Sequence, residues 1–183
     1  MARSRHYVWV AFLHRNHDEA RERARLDGTC WDRLTNRAIC WLDWSTIFHV
    51  QLMFYNAMHS EFVTFSIDAE ANRVWARTRK LFRRGWTFVR LEISAAQECA
   101  MYEFLGDHVR RHTPYDALGA YASIVRPIDN HHTSFFCSQL AAAALQAGGL
   151  LRNMRDYAIT PAALYSLIHT LPNASESTNP VLL

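Results

Sequence analysis

The residues best suited to chemistry in this chain are a cysteine at the start of a predicted helix and a histidine in a predicted strand. Cys137 lies within residues 134–139 and is followed by an alanine-rich run over 140–145. A thiol at the first turn of a helix is close to unpaired backbone N–H groups and to the positive end of the helix dipole, and both stabilise the nucleophilic thiolate. A cysteine nucleophile also needs a base within hydrogen-bonding distance. His49, in the apolar stretch 47–54, is the candidate base.

Both residues also have a plainer interpretation. A free cysteine often acts as a small buried hydrophobic residue, and a histidine in an apolar strand is often a hydrogen-bonded member of the core. The surroundings of Cys137 favour the reactive interpretation, because two aromatic residues precede it and a polar pair follows it. The small residues of the helix after it are suited to close packing beneath a site.

The composition predicts one folded domain. The chain has 183 residues, of which half are hydrophobic and 13% are aromatic, so it can bury a sizeable core. We expect this domain to span residues 1–170. The polar segment 171–183 is expected to be a flexible tail or a tail bound to a protein partner.

The charge pattern limits the expected partners. The net charge of +3 comes with arginine-dense runs at 21–25 and 77–84. This excess leaves an acidic partner or an anionic membrane surface open, although a charged helix face explains it more simply. Nucleic acid is not expected, since no binding motif accompanies the charge. The first apolar run ends at Leu13 and is too short for a signal peptide or a membrane span, so residues 8–12 are predicted to be a core strand.

The other cysteines and histidines predict neither a cofactor nor a metal site. The four cysteines have no Cys-x-x-Cys spacing, which favours reduced thiols in an intracellular, cytoplasmic setting. A Cys30–Cys40 disulfide stays open and would require an oxidising compartment. His131 and His132 precede Cys137, but adjacent histidines rarely bind one metal together and no fourth ligand is suitably spaced.

The elements around the two candidate residues can be predicted from local residue content, periodicity and capping signals. Residues 44–55 and 61–67 read as strands joined by a turn at 56–60, which places His49 on a hairpin. Residues 72–84 fit either an amphipathic helix or a strand with a basic face, and 86–93 alternates as a strand. Helices are predicted over 95–111, from Cys137 to the glycine pair 148–149, and after Pro161.

Four segments together resemble the circularly permuted NlpC/P60 proteins, a papain-like group. Residues 135–140, with 144–145 and 148–150, resemble the cysteine motif of that family, and residues 47–52 resemble its histidine motif. Two lesser segments, 113–119 and 159–165, agree in the same order. The histidine precedes the cysteine by 88 residues, whereas ordinary papain-like enzymes have the reverse order.

The resemblance implies an α+β fold in which an antiparallel sheet packs against the cysteine-bearing helix. It also implies thiol chemistry on an amide or ester bond, because relatives include peptidases, amidases, lipid acyltransferases and proteins of large DNA viruses. The implied substrate is a peptide, an amide or a lipid ester. A viral member would be located in the virion.

The chain departs from the family pattern at several polar positions. Gln51 and Gln139 stand where relatives often carry Glu. In relatives, a polar residue on the strand after the histidine strand orients the imidazole, and the candidates here are Glu61 and Ser66, with Thr64 between them. Glu61 supplies charge but lies near the turn, while Ser66 lies deeper in the strand.

The sequence therefore supports two functional hypotheses. In the first, Cys137 and His49 act as nucleophile and base in a cysteine hydrolase or acyltransferase, through a thioacyl intermediate. The backbone N–H of Cys137 would then stabilise the oxyanion. In the second, the fold serves as a structural or interaction protein, for example as a virion component, and the polar tail contacts a protein assembly.

Overall fold

Nearly continuous runs of β-branched, aromatic and other apolar residues form the central strands beside the site, which are buried on both faces over much of their length. A computed structural model describes residues 6–14, 45–79, 85–120, 133–151 and 159–177. The elements are β1 His6–His14, β2 Ile47–Asn56, β3 Glu61–Asp68, β4 Arg73–Arg79, β5 Trp86–Ile93, α1 Ala95–Arg110, α2 Cys137–Ala147, α3 Pro161–His169 and β6 Ala174–Ser177.

The strands form one open antiparallel sheet in the order β4-β3-β2-β1-β5-β6. Strand β2 is therefore an interior strand, with β1 on one side and β3 on the other. Its pairing with β3 runs from Asn56 opposite Glu61 to Leu52 opposite Phe65. Beyond Leu52, towards His49, β2 no longer forms this ladder.

The two faces of the sheet contribute to two separate apolar clusters, as strand alternation requires. One face packs against all three helices and includes Val10, Val50 and Leu52. The other face includes Trp9 and Met53, and its described members include no residue of α1, α2 or α3. The prediction of an α+β fold with the cysteine helix packed on an antiparallel sheet is confirmed at this level of detail.

A β-bulge interrupts the alternation next to His49. Leu13 pairs with His49, but His14 pairs with Ile47, so Phe48 is an extra residue on β2. Ile47 belongs to the helix-side cluster, while Phe48 packs against the opposite one. The bulge therefore changes which face the first residues of β2 occupy.

The helix boundaries follow recognisable caps. Ser94 and Gln97 form the predicted capping box at the start of α1. Thr160 accepts a hydrogen bond from the Ala163 N–H at the start of α3, where Pro161 occupies the first turn. The N-cap of α2, Phe136, makes no side-chain capping bond.

Three expectations are refined by the structure. Of the two alternatives for residues 72–84, the described part is a strand, β4. Part of the segment expected to be a tail forms strand β6, which pairs with β5 along Ala174 to Ser177, while residues 178–183 lie outside the described part. None of the helices in the described ranges is long and apolar enough to cross a membrane.

Candidate functional site

Cys137 is the first residue of α2 and is partly buried where the helix meets the sheet. It borders a narrow space together with residues from β2, β3, α1 and α2, namely Val50, Leu52, Phe65, Ser66, Leu105, Leu140 and Ala141. Ala141 and Leu140 are almost completely buried, which lets the first turns of α2 approach the sheet closely. The small residues of α2, such as Ala141, thus allow the close packing beneath the thiol that the sequence predicts.

Burial controls the protonation of the thiol. Removal of the sulfur from water is the largest influence, and it raises the pKa of Cys137 from 9.0 to about 11. The backbone N–H groups of Val50, Ser138 and Cys137 act in the opposite direction and lower it, and the negative charge of Asp68 raises it further. The helix start therefore favours the thiolate, as the sequence predicts, but desolvation outweighs this effect and the resting thiol is protonated at neutral pH.

Val50 connects the cysteine to the polar residues of the sheet. Its backbone N–H faces the Cys137 sulfur, and its carbonyl oxygen accepts a hydrogen bond of 3.1 Å from the Ser66 hydroxyl. Both backbone groups are available for these contacts because the β2–β3 ladder ends two residues away, at Leu52. The gap in the ladder thus brings α2, β2 and β3 together beside His49.

His49 is held by two neutral side chains at one ring nitrogen. Its Nε2 lies 3.1 Å from the Ser66 hydroxyl oxygen and 3.2 Å from the amide nitrogen of Gln51. Its ring also packs edge-on against Trp86, with 6.2 Å between centroids. Gln51 and Ser66 are both only 2% exposed, so these contacts are shielded from water.

Cys137 and His49 approach Val50 from different faces of the sheet. Cys137 packs with the helix-side cluster. His49 pairs with Leu13, a member of the other cluster, and directly paired residues of antiparallel strands point to the same face. The thiol therefore lies beside Val50 on the helix side of the sheet. The side chain of His49, the residue before Val50, leaves β2 on the other side.

The sequence candidates for the histidine-orienting residue occupy very different places. Ser66 contacts the imidazole, whereas Glu61 pairs with Asn56 at the other end of the hairpin. Asn56 is seven residues along β2 from His49, which corresponds to roughly 23 Å of strand. Thr64 is fully buried between them, and its hydroxyl has no hydrogen-bond partner within the described part of the chain. The structure brings Ser66 to His49 and does not bring Glu61 there.

Two further residues of the site were not assigned a role from the sequence. Gln51 contacts the imidazole, and alternation along β2 would have placed it on the face of His49. Asp68, the last residue of β3, accepts hydrogen bonds from the Trp75 indole N–H at 2.9 Å and from the Ala71 N–H at 2.8 Å. Its charge raises the pKa of Cys137. The sequence does not show that Asp68 lies close enough to do so, because it does not show where the pairing of β2 with β3 ends.

The remaining candidate residues do not join this cluster. Gln139 is buried in the first turn of α2, and neither polar atom of its amide has a hydrogen-bond partner in the ranges given above. Cys99 is an exposed free thiol on α1, while Cys30, Cys40, His131 and His132 lie outside the described residues. Within the described ranges, no group of three or more His, Cys, Asp or Glu residues is arranged to hold a metal ion.

No family model, no curated protein and no solved structure matches the chain. Arguments about its function therefore depend on the geometry of its own residues and on the motif resemblance of its sequence.

Proposed function

We propose that the protein is a thiol-dependent hydrolase or acyltransferase that acts on an amide or ester bond. Cys137 is the nucleophile, His49 is the base and Ser66 orients the imidazole. The antiparallel sheet with a cysteine-bearing helix on one face is compatible with the permuted papain-like fold that the motif order implies. The substrate class is a peptide, an amide or a lipid ester.

The observation that carries this proposal is the convergence at Val50. The thiol of a helix-start cysteine faces the Val50 N–H, and the residue just before Val50 is a histidine whose imidazole is already held by buried polar groups. A nucleophile and a base with its orienting group thus flank Val50 from the two faces of the sheet, and the proposed reaction requires the imidazole to reach the thiol past the end of the β2–β3 ladder.

The proposed reaction begins from a protonated thiol. His49 takes the Sγ proton as the sulfur attacks the substrate carbonyl, and an S–C bond forms while the carbonyl π electrons move to oxygen. The Cys137 N–H, at the start of α2, is a donor for this oxyanion. Collapse breaks the bond to the amine or alcohol, which leaves with the proton from the imidazolium. Water or an acceptor nucleophile then adds to the thioester while His49 takes its proton, and collapse returns the thiol.

The test is site-specific alkylation of the cysteines with iodoacetamide at neutral pH, followed by peptide mass spectrometry. Cys137 is expected to react faster than the exposed Cys99 despite its burial, because His49 accepts its proton during attack. His49→Ala should slow the labelling of Cys137 at least tenfold and leave Cys99 unchanged, where tenfold corresponds to about 1.4 kcal/mol. Equal rates for Cys137 with and without His49 would rule out the pair.

One observation favours the second candidate, a structural or interaction protein. The thiol and the imidazole lie on opposite faces of the sheet, and burial keeps the thiol protonated. In this case Cys137 is a small core residue. Cys137→Ala would then lower the free energy of unfolding by about 1 kcal/mol, as the loss of a small buried group does, and Cys137 would react more slowly than Cys99 in the native protein.

A further inference from the structure

Strand β4 is one edge of the sheet, and part of its outer side is uncovered in the described structure. Near its start, the Val74 N–H points away from β3 and donates a hydrogen bond of 2.9 Å to the Thr113 carbonyl oxygen. Backbone groups alternate in direction along a strand, so the N–H and C=O groups of Ala76 and Thr78 point the same way as those of Val74. Both residues are exposed, and neither has a backbone hydrogen-bond partner on this side among the described residues. The outer edge thus offers the backbone groups of both residues to an incoming strand.

Arg77 lies between these two residues and presents a fixed positive charge at the edge. Its guanidinium stacks on the Trp75 ring, 4.6 Å from the centroid, and Trp75 is fixed in turn by the 2.9 Å hydrogen bond from its indole N–H to Asp68. Directly opposite Arg77 on β3 is Thr64, a neutral residue. Arg77 is exposed and makes no ion pair within the described ranges. The stacking limits the rotamers of Arg77 and leaves its N–H groups able to bind a carboxylate through two parallel hydrogen bonds.

The surroundings of Arg77 favour an acidic partner over a lipid surface. Arg73 is a second exposed arginine on the same face of β4, although it lies opposite Asp68, so Arg77 is the better anchor for an added negative charge. The large hydrophobic residues that are exposed within the described ranges all lie outside β4, namely Met58, Tyr102 and Leu118. Binding of a membrane surface depends on buried apolar area as well as on charge, and the described part of this edge supplies only the charge.

We propose that the outer edge of β4 binds an extended acidic segment of another protein, which adds to the sheet as a further strand beside Ala76 and Thr78. The backbone of this segment pairs with the open N–H and C=O groups. An acidic side chain opposite Arg77 accepts hydrogen bonds from the guanidinium, because directly paired residues of antiparallel strands share a face. Thr113 already occupies the edge at Val74, so the incoming strand begins beyond it. This inference does not depend on the chemistry proposed for Cys137.

The experiment is a titration of a fluorescently labelled peptide of alternating threonine and glutamate with the full chain, measured by fluorescence anisotropy. We expect saturable binding at low ionic strength, with an affinity that falls as the salt concentration rises towards about 1 M. Arg77→Gln should weaken the binding about tenfold, as the loss of a hydrogen bond between charged groups does. Ala76→Pro removes an outward N–H that the pairing with β3 does not use. This variant should therefore weaken the binding by a similar factor and leave thermal unfolding almost unchanged.

The matched control is Arg90→Gln, which should leave the affinity unaltered. Arg90 also stacks on an aromatic ring, that of Tyr7 at 4.8 Å, but it lies on β5 instead of on the β4 edge. N-methylated peptides test strand addition without any change to the protein. Methyl groups on one alternate set of peptide amides should abolish binding, whereas methyl groups on the other set should be tolerated, because only one set faces β4.

Four results would overturn the inference. Equal binding of the two methylated peptides would mean that charge alone holds the peptide. An absence of saturable binding, or equal affinities for wild type and Arg77→Gln, would exclude the β4 edge and leave its arginines the role of preventing edge-to-edge association. A dimer that Ala76→Pro converts to a monomer would assign the edge to a second copy of the chain. Tighter binding of phosphatidylserine vesicles or of a single-stranded oligonucleotide, lost in Arg77→Gln, would assign the arginines to those ligands.

Discussion

The hydroxyl of Ser66 lies 3.1 Å from Nε2 of His49 and donates a hydrogen bond of 3.1 Å to the carbonyl oxygen of the next residue, Val50. One side chain of β3 thus fixes both a backbone group and an imidazole of β2, beyond the point where the two strands pair. The stability of this part of the sheet and the orientation of His49 therefore depend on the same buried hydroxyl.

Removing that hydroxyl should affect both properties. Ser66→Ala leaves the buried Val50 carbonyl without its donor, so we expect a loss of about 1–3 kcal/mol in the free energy of unfolding. On the proposed function, the alkylation rate of Cys137 should also fall, because His49 loses the buried hydroxyl that contacts its Nε2. Chemical denaturation and peptide-resolved alkylation measure the two effects. Unchanged values for both would contradict the contacts described at Ser66.

The neighbouring Thr64 should respond in the opposite direction. Its hydroxyl is fully buried and has no hydrogen-bond partner among the residues that the structure describes, so we expect it to contribute a desolvation penalty. Thr64→Val keeps the side-chain shape and should raise the free energy of unfolding by about 1 kcal/mol. The comparison with Ser66→Ala tests a partnered and an unpartnered hydroxyl on one face of β3. A destabilised Thr64→Val would mean that the hydroxyl has a partner.

The pKa of Cys137 predicts a loss of stability at alkaline pH. Because the folded pKa is raised from 9.0 to about 11, the unfolded chain loses the thiol proton first. This stabilising contribution is complete below pH 9 and is lost as the pH rises through 11, by about 2–3 kcal/mol in total. Denaturation curves between pH 8 and 11 measure it. Cys137→Ala should decline less over this range, whereas Met58→Leu, a change at an exposed position without a titratable group, should follow the wild type.

The charge of Asp68 should be visible in the reactivity of the thiol. Since this carboxylate raises the pKa of Cys137, Asp68→Asn should lower it and shift the pH profile of Cys137 alkylation towards lower pH. Glu70→Gln is a suitable control, because Glu70 is an exposed acid in the adjoining turn. A shift towards higher pH, or equal shifts in both variants, would contradict the effect of Asp68.

The strands and helices were largely predictable because their signals are local. A short apolar run indicated β1, β-branched and aromatic content indicated β2 and β3, alternation indicated β5, and the capping box fixed the start of α1. Residues 72–84 were ambiguous because basic residues such as Arg73 and Arg77 suit either a helix face or an edge strand. Pairing with β3 decides in favour of the strand.

The site was predictable in its residues but less so in its energetics. Ser66 and Glu61 were ranked together from the sequence, and only the register of the hairpin separates them. The helix start suggested a thiolate at Cys137, yet the degree of burial depends on tertiary packing and reverses the net effect. Gln51 was noted as a departure from a family pattern, and its contact with His49 depends on side-chain geometry that the sequence does not specify.

The bulge at Phe48 determines which changes of chain length β2 can accept. Deleting Phe48 would restore regular pairing with β1 and leave Ile47 and His49 on their present faces. Deleting Met53 would instead move the side chains on one side of the deletion to the other face of the sheet. His49 would then lose either its contact with Ser66 or its neighbours on the same face of β1 and β2. During divergence of related sequences, single-residue gaps in this strand should therefore be found at the bulge and not within residues 50–55.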